Sequence, residues 1–205
     1  MKALIISGSR NPEGRTAMLI NALCEGVKEA GGETEVIFLP KINSCHCREC
    51  NKDGWGICRD KDKCIIDDDF SPVVEKIDSA DATVLANPVY FGDLSESMKS
   101  FLDRLRRVKS KIPVRPVNPN GPMAGPFNND FGQIAMGICY AGGSGNGTTS
   151  CCFNLERTLM FCGFDVVDML PARRENLDNK LIIAKQTGKW LTTMPSSNKC
   201  KLEPI

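Results

Sequence analysis

Five cysteines stand close together in a polar stretch of this 205-residue chain, and their spacing could serve metal or redox chemistry. The array reads C-x-C-x-x-C-x7-C-x5-C and consists of Cys45, Cys47, Cys50, Cys58 and Cys64. Clustered thiolates can hold a 4Fe–4S cluster or a tetrahedral zinc ion, and His46, the only histidine, could be a fourth zinc ligand. Because a single residue separates Cys45 from Cys47, ligation by both is awkward, and structural or redox-active thiols remain an alternative. Trp55 would shield a cluster or anchor the loop.

The second candidate site is a Gly/Ser loop, SGSRNPEGRT over residues 7–16, which follows an apolar run and precedes a helical pattern. Unpaired backbone N–H groups and the positive end of the helix dipole meet at such a helix N-terminus, which makes it an anion site. Ser9 and Thr16 can add hydroxyl donors, and Arg10 or Arg15 can supply a bidentate cation. The sequence therefore predicts a phosphate site, with a merely capped turn as the alternative.

The motifs that are absent from this loop narrow the range of phosphate compounds that it is predicted to bind. The loop has no Gly-Lys-Ser/Thr sequence for an NTPase, departs from G-x-G-x-x-G, and contains no nucleophilic cysteine for a low-molecular-weight phosphatase. The second apolar run ends in Leu39 and Pro40, where a dinucleotide-binding fold would place an acid for the ribose. A monophosphate such as FMN remains, and bound NAD is disfavoured.

Two further loops are predicted to surround a planar ring. Residues 87–92 read NPVYFG and offer the rings of Tyr90 and Phe91 for stacking. Residues 140–148 read YAGGSGNGT. Such a glycine-rich loop brings backbone N–H groups close to a ligand, where they could hold the pyrimidine edge of a flavin and stabilise charge near N1. The alternatives are core or interface aromatics in the first loop and simple flexibility in the second.

A regular pattern of apolar segments supplies the frame for these loops. Strand-length apolar runs cover residues 3–7, 34–39, 82–87, 133–140 and 166–170, and segments of helical period cover 16–30, 70–78, 95–108, 149–162 and 179–192. Their strict alternation predicts a doubly wound, three-layer α/β/α fold with a five-stranded parallel sheet in the flavodoxin-like order 2-1-3-4-5. The ligand of such a fold lies outside the carboxyl ends of the strands, where all three loops fall.

The chain length predicts one domain over 1–205, with a cysteine-rich insertion at 40–68 and a proline-rich loop at 109–130. That loop is either an ordered flap or partner-contacting arm, or a plain surface excursion. The acidic run at 67–69 precedes a helix and is expected to cap it rather than to bind magnesium. Asp103 and Arg104 are expected to form a structural pair.

Composition excludes several classes of function. A net charge of +1 gives no electrostatic reason to expect nucleic acid or an anionic membrane, and no apolar run approaches the length of a membrane span. The apolar start of the chain runs into Ser7 too early for a signal peptide, so we expect a cytoplasmic protein. In a reducing cytosol the cysteines are not a disulfide frame. Five that lie in apolar segments are expected to pack as small hydrophobes: Cys24, Cys139, Cys151, Cys152 and Cys162.

Several motifs together resemble the NADPH-dependent FMN reductase family, in particular its branch similar to iron–sulfur flavoproteins. The resemblance runs from residue 1 to about residue 165, and it is carried by the Gly/Ser loop, DDDF at 67–70, AD at 80–81, NPVYFG at 87–92 and KSFLDR at 99–104. Members of this family have a flavodoxin-like fold, bind FMN and often form dimers or tetramers. Iron–sulfur flavoproteins carry a C-x-x-C-x-x-C array with a fourth cysteine, whereas the first spacing here is one residue shorter.

The resemblance also implies a set of FMN-binding residues. The phosphate would be bound by Ser9, Arg10, Gly14, Arg15 and Thr16. The ring would be surrounded by Pro88, Val89, Tyr90, Phe91 and Gly92 on one side and by Ala141, Gly142, Gly143, Ser144 and Gly145 on the other. This chain has Arg10 and Asn11 where the family often has Pro-Arg, which leaves open which arginine meets the phosphate.

The leading functional prediction is an enzyme in which NAD(P)H delivers hydride to N5 of FMN, and the reduced flavin passes electrons to a quinone, another flavin, a metal centre or another small acceptor. Such catalysis depends on positioning, so no acid or base side chain is required. The second hypothesis is a non-enzymatic electron carrier with an iron–sulfur cluster that serves ferredoxin-like partners. The third is a zinc-stapled binding module without flavin.

Overall fold

The computed structural model describes residues 1–109 and 133–194, and within these ranges the chain forms a parallel α/β sheet structure. The strands are β1 (Lys2–Ser7), β2 (Glu33–Phe38), β3 (Ala82–Pro88), β4 (Gln133–Ala141) and β5 (Phe164–Arg173). The helices are α1 (Arg15–Glu29), α2 (Cys58–Lys61), α3 (Phe70–Ser79), α4 (Glu96–Lys109), α5 (Thr148–Phe161) and α6 (Leu177–Leu191). Single 3₁₀ turns follow β2 and β5.

The sheet has the order β2-β1-β3-β4-β5, and each neighbouring pair is parallel. This confirms the predicted five-stranded flavodoxin-like sheet. All five predicted strands and all five predicted helices are present, with β5 longer at both ends than its apolar run indicated. Helix α2 was not predicted, because four residues in a polar cysteine-rich stretch show no helical period. The predicted proline-rich loop beyond Lys109 and the residues after 194 lie outside the described ranges.

Alternate side chains of the strands pack against helices on opposite faces of the sheet. Leu4 and Ile6 of β1 join a core with α3, α4 and α5. Ala3 and Ile5 of the same strand join a second core with α1 and α6. The result is the predicted three-layer arrangement, in which the central strands are buried on both faces.

The cysteines that were expected to behave as hydrophobes are all buried, which confirms that prediction: Cys24, Cys139, Cys151, Cys152 and Cys162. Burial raises the pKa of Cys162 to about 12, so this thiol stays neutral.

Parallel register brings the carboxyl ends of the strands to one edge. Ser7 at the end of β1 pairs with Phe38 of β2 and with Ala86 of β3, and Pro88 at the end of β3 pairs with Tyr140 of β4. The loops after β1, β3 and β4 therefore leave the sheet side by side.

None of the helices in residues 1–109 and 133–194 has the length and apolar character that crossing a bilayer demands.

Candidate functional site

The loop after β1 keeps its hydroxyl groups close to the sheet. Ser9 is buried, and Thr16 in the first turn of α1 is 3% exposed. The Ser9 hydroxyl accepts a hydrogen bond from the backbone N–H of Asn11 at 3.2 Å, and the Ser9 N–H donates to Ser7 Oγ at 3.2 Å. These local bonds fold the loop into a compact turn that leads directly into α1.

Helix α1 begins without a side-chain cap. Its N-cap residue is Gly14, no side chain bonds to the first-turn N–H groups, and the first turn contains no acidic residue. The first-turn N–H groups and the positive end of the helix dipole are therefore available to an external anion.

The two candidate arginines of this loop differ in their surroundings. Arg10 is exposed, and its Nη2 lies 2.7 Å from Oε2 of Glu96, at the start of α4. Arg15 is exposed at the first position of α1. Arg10 is thus directed towards α4, whereas Arg15 stands at the uncapped helix end.

Asn87, at the end of β3, ties the neighbouring elements together. Its buried Oδ1 accepts hydrogen bonds from the N–H and the hydroxyl of Ser95, at 3.0 and 2.9 Å, and its Nδ2 donates to the Pro88 carbonyl and to Cys151 Sγ. Gly8 packs so closely against this cluster that a Cβ there would overlap Ser95 Oγ and lie 2.9 Å from Asn87 Oδ1. The sequence analysis did not predict this structural role of Asn87, although a polar residue at the end of an apolar strand pattern could have indicated it.

Tyr90 and Phe91 form part of a tight turn at the edge of the sheet. The N–H groups of Tyr90 and Asp93 each donate to the carbonyl of the other at 3.0 Å. Phe91 and Gly92 between them have φ angles of +52° and +78°, as in a type I′ turn. Phe91 is fully exposed and Tyr90 half-exposed, so neither is a core aromatic. A phenylalanine in the left-handed region is strained, and such strain clusters at functional sites.

The loop after β4 touches the loop after β3 backbone to backbone. Gly147 has a φ angle of +81°, and a Cβ there would overlap Gly92 Cα and lie 3.0 Å from Gly92 N. The Ser150 hydroxyl donates to the Gly92 carbonyl at 2.6 Å, and Asn154 Nδ2 donates to Asp93 Oδ1 at 3.1 Å. The two ring loops of the sequence prediction therefore form one connected surface.

The structure brings four of the five clustered cysteines to one cavity. Cys47, Cys50, Cys58 and Cys64 line it together with Arg104 and Arg107. The cavity measures about 20 Å³, which is room for about one water. Cys45 lies instead with His46 in a neighbouring cavity of about 460 Å³, between the loop after β1 and the start of α4.

This cysteine cavity offers four thiols, the number and type of donor that a 4Fe–4S cluster takes, but its volume of about 20 Å³ is far too small for such a cluster. The sulfurs are not drawn around one point: across the part of the chain that the structure describes, no three His, Cys, Asp or Glu side chains are arranged to hold a metal ion. Ligation of a cluster would therefore require the segment from Cys47 to Cys64 to rearrange, so that the cavity opens and the four sulfurs turn towards one point.

A buried ion pair anchors the cysteine segment to α4. Arg104 and Asp68 have side chains only 1% and 2% exposed, and Arg104 Nη1 and Nη2 donate to the two carboxylate oxygens of Asp68 at 2.7 and 2.9 Å. Arg104 also donates to the Cys45 carbonyl at 2.9 Å and to Cys64 Sγ at 3.2 Å. Burial alone would raise the pKa of Asp68, but these charge-assisted bonds and two backbone N–H groups hold it below its ordinary value.

The expected pair of Asp103 with Arg104 is wrong. Asp103 Oδ2 accepts from Lys99 Nζ at 2.6 Å on the exposed face of α4, whereas Arg104 points inward. Asp68 does accept from the N–H of Phe70 at 3.1 Å, as expected of a residue that precedes α3, but its main partner is Arg104.

Trp55 anchors the loop that closes the cysteine cavity. The guanidinium carbon of Arg107 lies 4.4 Å from the centre of the indole, and that of Arg59 lies 5.0 Å from it. Arg107 Nη1 also donates to the Gly54 carbonyl at 2.7 Å. These cation–π contacts and this bond fix the middle of the cysteine segment against α4.

The sheet order 2-1-3-4-5, with an uncapped helix start after β1 at the carboxyl edge, defines a flavodoxin-like α/β protein. Within that class the chain belongs to the NADPH-dependent FMN reductase family, whose model matches residues 1–176.

Comparison with curated proteins and solved structures finds related flavoproteins. An iron–sulfur flavoprotein of Methanocaldococcus jannaschii is 34% identical over 143 residues, which cover 70% of this chain and 65% of that protein. The iron–sulfur flavoprotein of Methanosarcina thermophila is 38% identical over 119 residues, which cover 55% and 60%. The aligned part of the chain thus spans less than two thirds of either relative.

Solved structures share the fold. An NAD(P)H:quinone oxidoreductase from Methanothermobacter marburgensis superposes with a TM-score of 0.66 at 20% identity, over 93% of this chain and 96% of that one. A flavodoxin from the domain Archaea superposes with a TM-score of 0.58 at 14% identity, over 94% and 97%.

Proposed function

We propose that this protein is an FMN-dependent oxidoreductase that takes electrons from NAD(P)H and passes them to a quinone, a flavin or another small acceptor. The observation that carries the proposal is the uncapped N-terminus of α1, with buried Ser9 and Thr16 beside it, at the edge where the loops after β3 and β4 meet. An anion site next to exposed aromatics and a glycine loop suits a molecule with a phosphate at one end and a planar ring at the other.

In this proposal, the chain's own residues bind and orient the cofactor. The first-turn N–H groups of α1, the hydroxyls of Ser9 and Thr16 and the guanidinium of Arg15 hold the phosphate. The residues around the ring are those of the turn 88–92 and of the loop 141–145, whose N–H groups favour negative charge on the pyrimidine edge. When bound, FMN supplies two-electron chemistry at N5.

Replacement Thr16→Val is expected to weaken FMN binding roughly tenfold or more, because it removes a hydrogen bond to a charged phosphate without changing the side-chain shape. Fluorescence titration of the apoprotein with FMN measures this change. Thr187→Val, which alters a buried threonine of α6 outside the three loops, serves as the control and should leave the affinity unchanged. Equal affinities for the two variants would argue against phosphate binding at α1.

A second candidate function is electron transfer between FMN and an iron–sulfur cluster that serves ferredoxin-like partners. The observation in its favour is the single cavity that Cys47, Cys50, Cys58 and Cys64 line. These four cysteines would hold the cluster, with a tetrahedral zinc ion as the competing occupant. Cys45, which lies in another cavity, is the least suited of the five.

Anaerobic stopped-flow mixing with NADPH separates the two functions. An NAD(P)H-dependent reductase bleaches its flavin absorbance in the absence of any other protein, whereas a carrier stays oxidised until a reduced partner is added. Iron and acid-labile sulfide assays on anaerobically purified protein establish whether the cysteine cavity holds a cluster.

A further inference from the structure

A groove follows the exposed side of α4 from the loop after β1 to the cysteine segment. Two cavities form it: the one of about 460 Å³ beside Arg10, and one of about 490 Å³ between residues 46–49 and the later turns of α4. His46 and Ser100 line both cavities, so the two adjoin each other. Each volume lies in the range of small-molecule sites, about 300–1,000 Å³. We call the two together the α4 groove.

The near half of the α4 groove lies against the loop after β1. Its apolar lining residues are Leu39, Pro40, Ile42 and Phe101. Its two charges, Arg10 and Glu96, neutralise each other at 2.7 Å. The hydroxyl of Ser97 in the same half donates to the Gly8 carbonyl at 3.1 Å. Because α4 begins three residues after the turn that contains Phe91, this half opens beside the proposed flavin site.

The far half of the α4 groove carries two arginines without a counter-charge. Its charged lining residues are Arg48, Glu49, Asp103, Arg106 and Arg107. Both acids already have a cationic partner, since Glu49 lies 3.6 Å from Arg107 and Asp103 accepts from Lys99. Arg48 and Arg106 form no ion pair with any residue in 1–109 and 133–194. Two such guanidinium groups in one cavity suit a phosphate, which arginine binds bidentately.

We infer that Arg48 and Arg106 bind the 2′-phosphate of NADPH in the far half of the α4 groove and thereby select NADPH over NADH. The inference rests on the proposed function, in which NAD(P)H reduces FMN. Glu96 and Arg106 are ten residues apart on α4, which is about 15 Å at a rise of about 1.5 Å per residue. A nicotinamide dinucleotide is extended, with its reactive ring at one end and the adenosine at the other. The 2′-phosphate of that adenosine is the only difference between NADPH and NADH, so the groups that bind it set the preference.

The first test measures binding without any redox reaction, by isothermal titration calorimetry of the FMN-saturated protein. Its two probes are adenosine 2′,5′-bisphosphate and adenosine 5′-monophosphate, which differ only in the 2′-phosphate. We expect the bisphosphate to bind about tenfold more tightly or better, and Arg48→Gln and Arg106→Gln each to remove about tenfold of its affinity without changing that of the monophosphate. Arg157→Gln, which alters an exposed arginine of α5 outside the groove, is the control and should change neither.

The second test measures flavin reduction by each dinucleotide in anaerobic stopped-flow experiments. The unchanged protein should reach its half-maximal rate at about a tenfold lower concentration of NADPH than of NADH. In Arg48→Gln and Arg106→Gln this concentration should rise for NADPH and stay the same for NADH. The maximal rate should not change, because neither arginine is near the proposed ring site. A general loss of structure would instead affect both dinucleotides alike.

The outcomes separate this inference from the proposed function. If neither NADPH nor NADH reduces the flavin of the unchanged protein, the proposed electron donor and the inference both fail. If both dinucleotides reduce it with equal affinity, or if the two arginine variants keep the affinity of the unchanged protein for the bisphosphate, the proposed function stands and the role of Arg48 and Arg106 is overturned.

Discussion

Replacement of Asp68 by asparagine is expected to lower the free energy of unfolding by about 3–5 kcal/mol, because it leaves the buried Arg104 guanidinium without a counter-charge. The side chains of both residues are almost fully buried and joined by two hydrogen bonds. Water cannot take over the lost carboxylate. Urea unfolding monitored by circular dichroism measures the change.

Asp67 offers a matched control in the same acidic run. It is exposed, so Asp67→Asn should change the unfolding free energy by no more than about 0.5 kcal/mol. Similar stabilities for the two variants would contradict the description of Asp68 and Arg104 as the anchor of the cysteine segment.

Gly147→Ala is expected to weaken FMN binding roughly tenfold or more and to destabilise the fold by at least about 2 kcal/mol. The new Cβ would overlap the backbone of Gly92, so the loops after β3 and β4 must move apart. The backbone at Gly147 is also left-handed, which alanine adopts only with strain. Separation of the loops would open the surface on which the flavin ring is proposed to lie. FMN titration and urea unfolding of one sample measure both effects.

Gly163→Ala separates the steric effect from the conformational one. Gly163 lies between α5 and β5, outside the three loops, and has the same φ angle of +81°, but a Cβ there would meet nothing within 4 Å. This variant should carry only the cost of a left-handed alanine, about 1–2 kcal/mol, and keep most of its FMN affinity. If both variants bound FMN equally well, the contact between Gly92 and Gly147 would not matter for the site.

The sheet and the positions of its loops were predictable from sequence because short-range patterns encode them. The apolar run of β1 ends at a Gly/Ser loop, and a segment of helical period follows that loop directly. This local pattern alone predicts the strand, the turn and the start of the helix. Parallel order then places the loops after β1, β3 and β4 at one edge. None of these steps requires knowledge of a long-range side-chain contact.

The ion pair that fixes the cysteine segment was not predictable in the same way. Asp68 and Arg104 are 36 residues apart, and only the folded chain brings them together. Sequence adjacency suggested Asp103 as the partner of Arg104, but successive residues of a helix point in different directions. Asp103 therefore meets Lys99 one turn earlier, on the exposed face of α4.

The grouping of the cysteines also depends on tertiary structure. The spacing of the cysteines left all five as candidate metal ligands, although Cys45 and Cys47 are too close in sequence for both to bind one metal site easily. The bonds of the Cys45 N–H to Asp68 and of its carbonyl to Arg104 hold its backbone beside the ion pair, while Cys47 continues into the cavity with Cys64. These backbone contacts, which cannot be read from the spacing of the cysteines, determine that Cys47 rather than Cys45 lines the cavity.

The most direct test of the flavin site compares the affinity of the apoprotein for FMN with its affinity for riboflavin, which has the same ring but no phosphate. Since the phosphate would receive at least two charge-assisted hydrogen bonds from the start of α1, FMN should bind about a hundredfold more tightly or better. Thr16→Val should reduce this difference and leave riboflavin binding unchanged. Equal affinity for the two flavins, or binding of neither, would contradict a phosphate site at the end of β1.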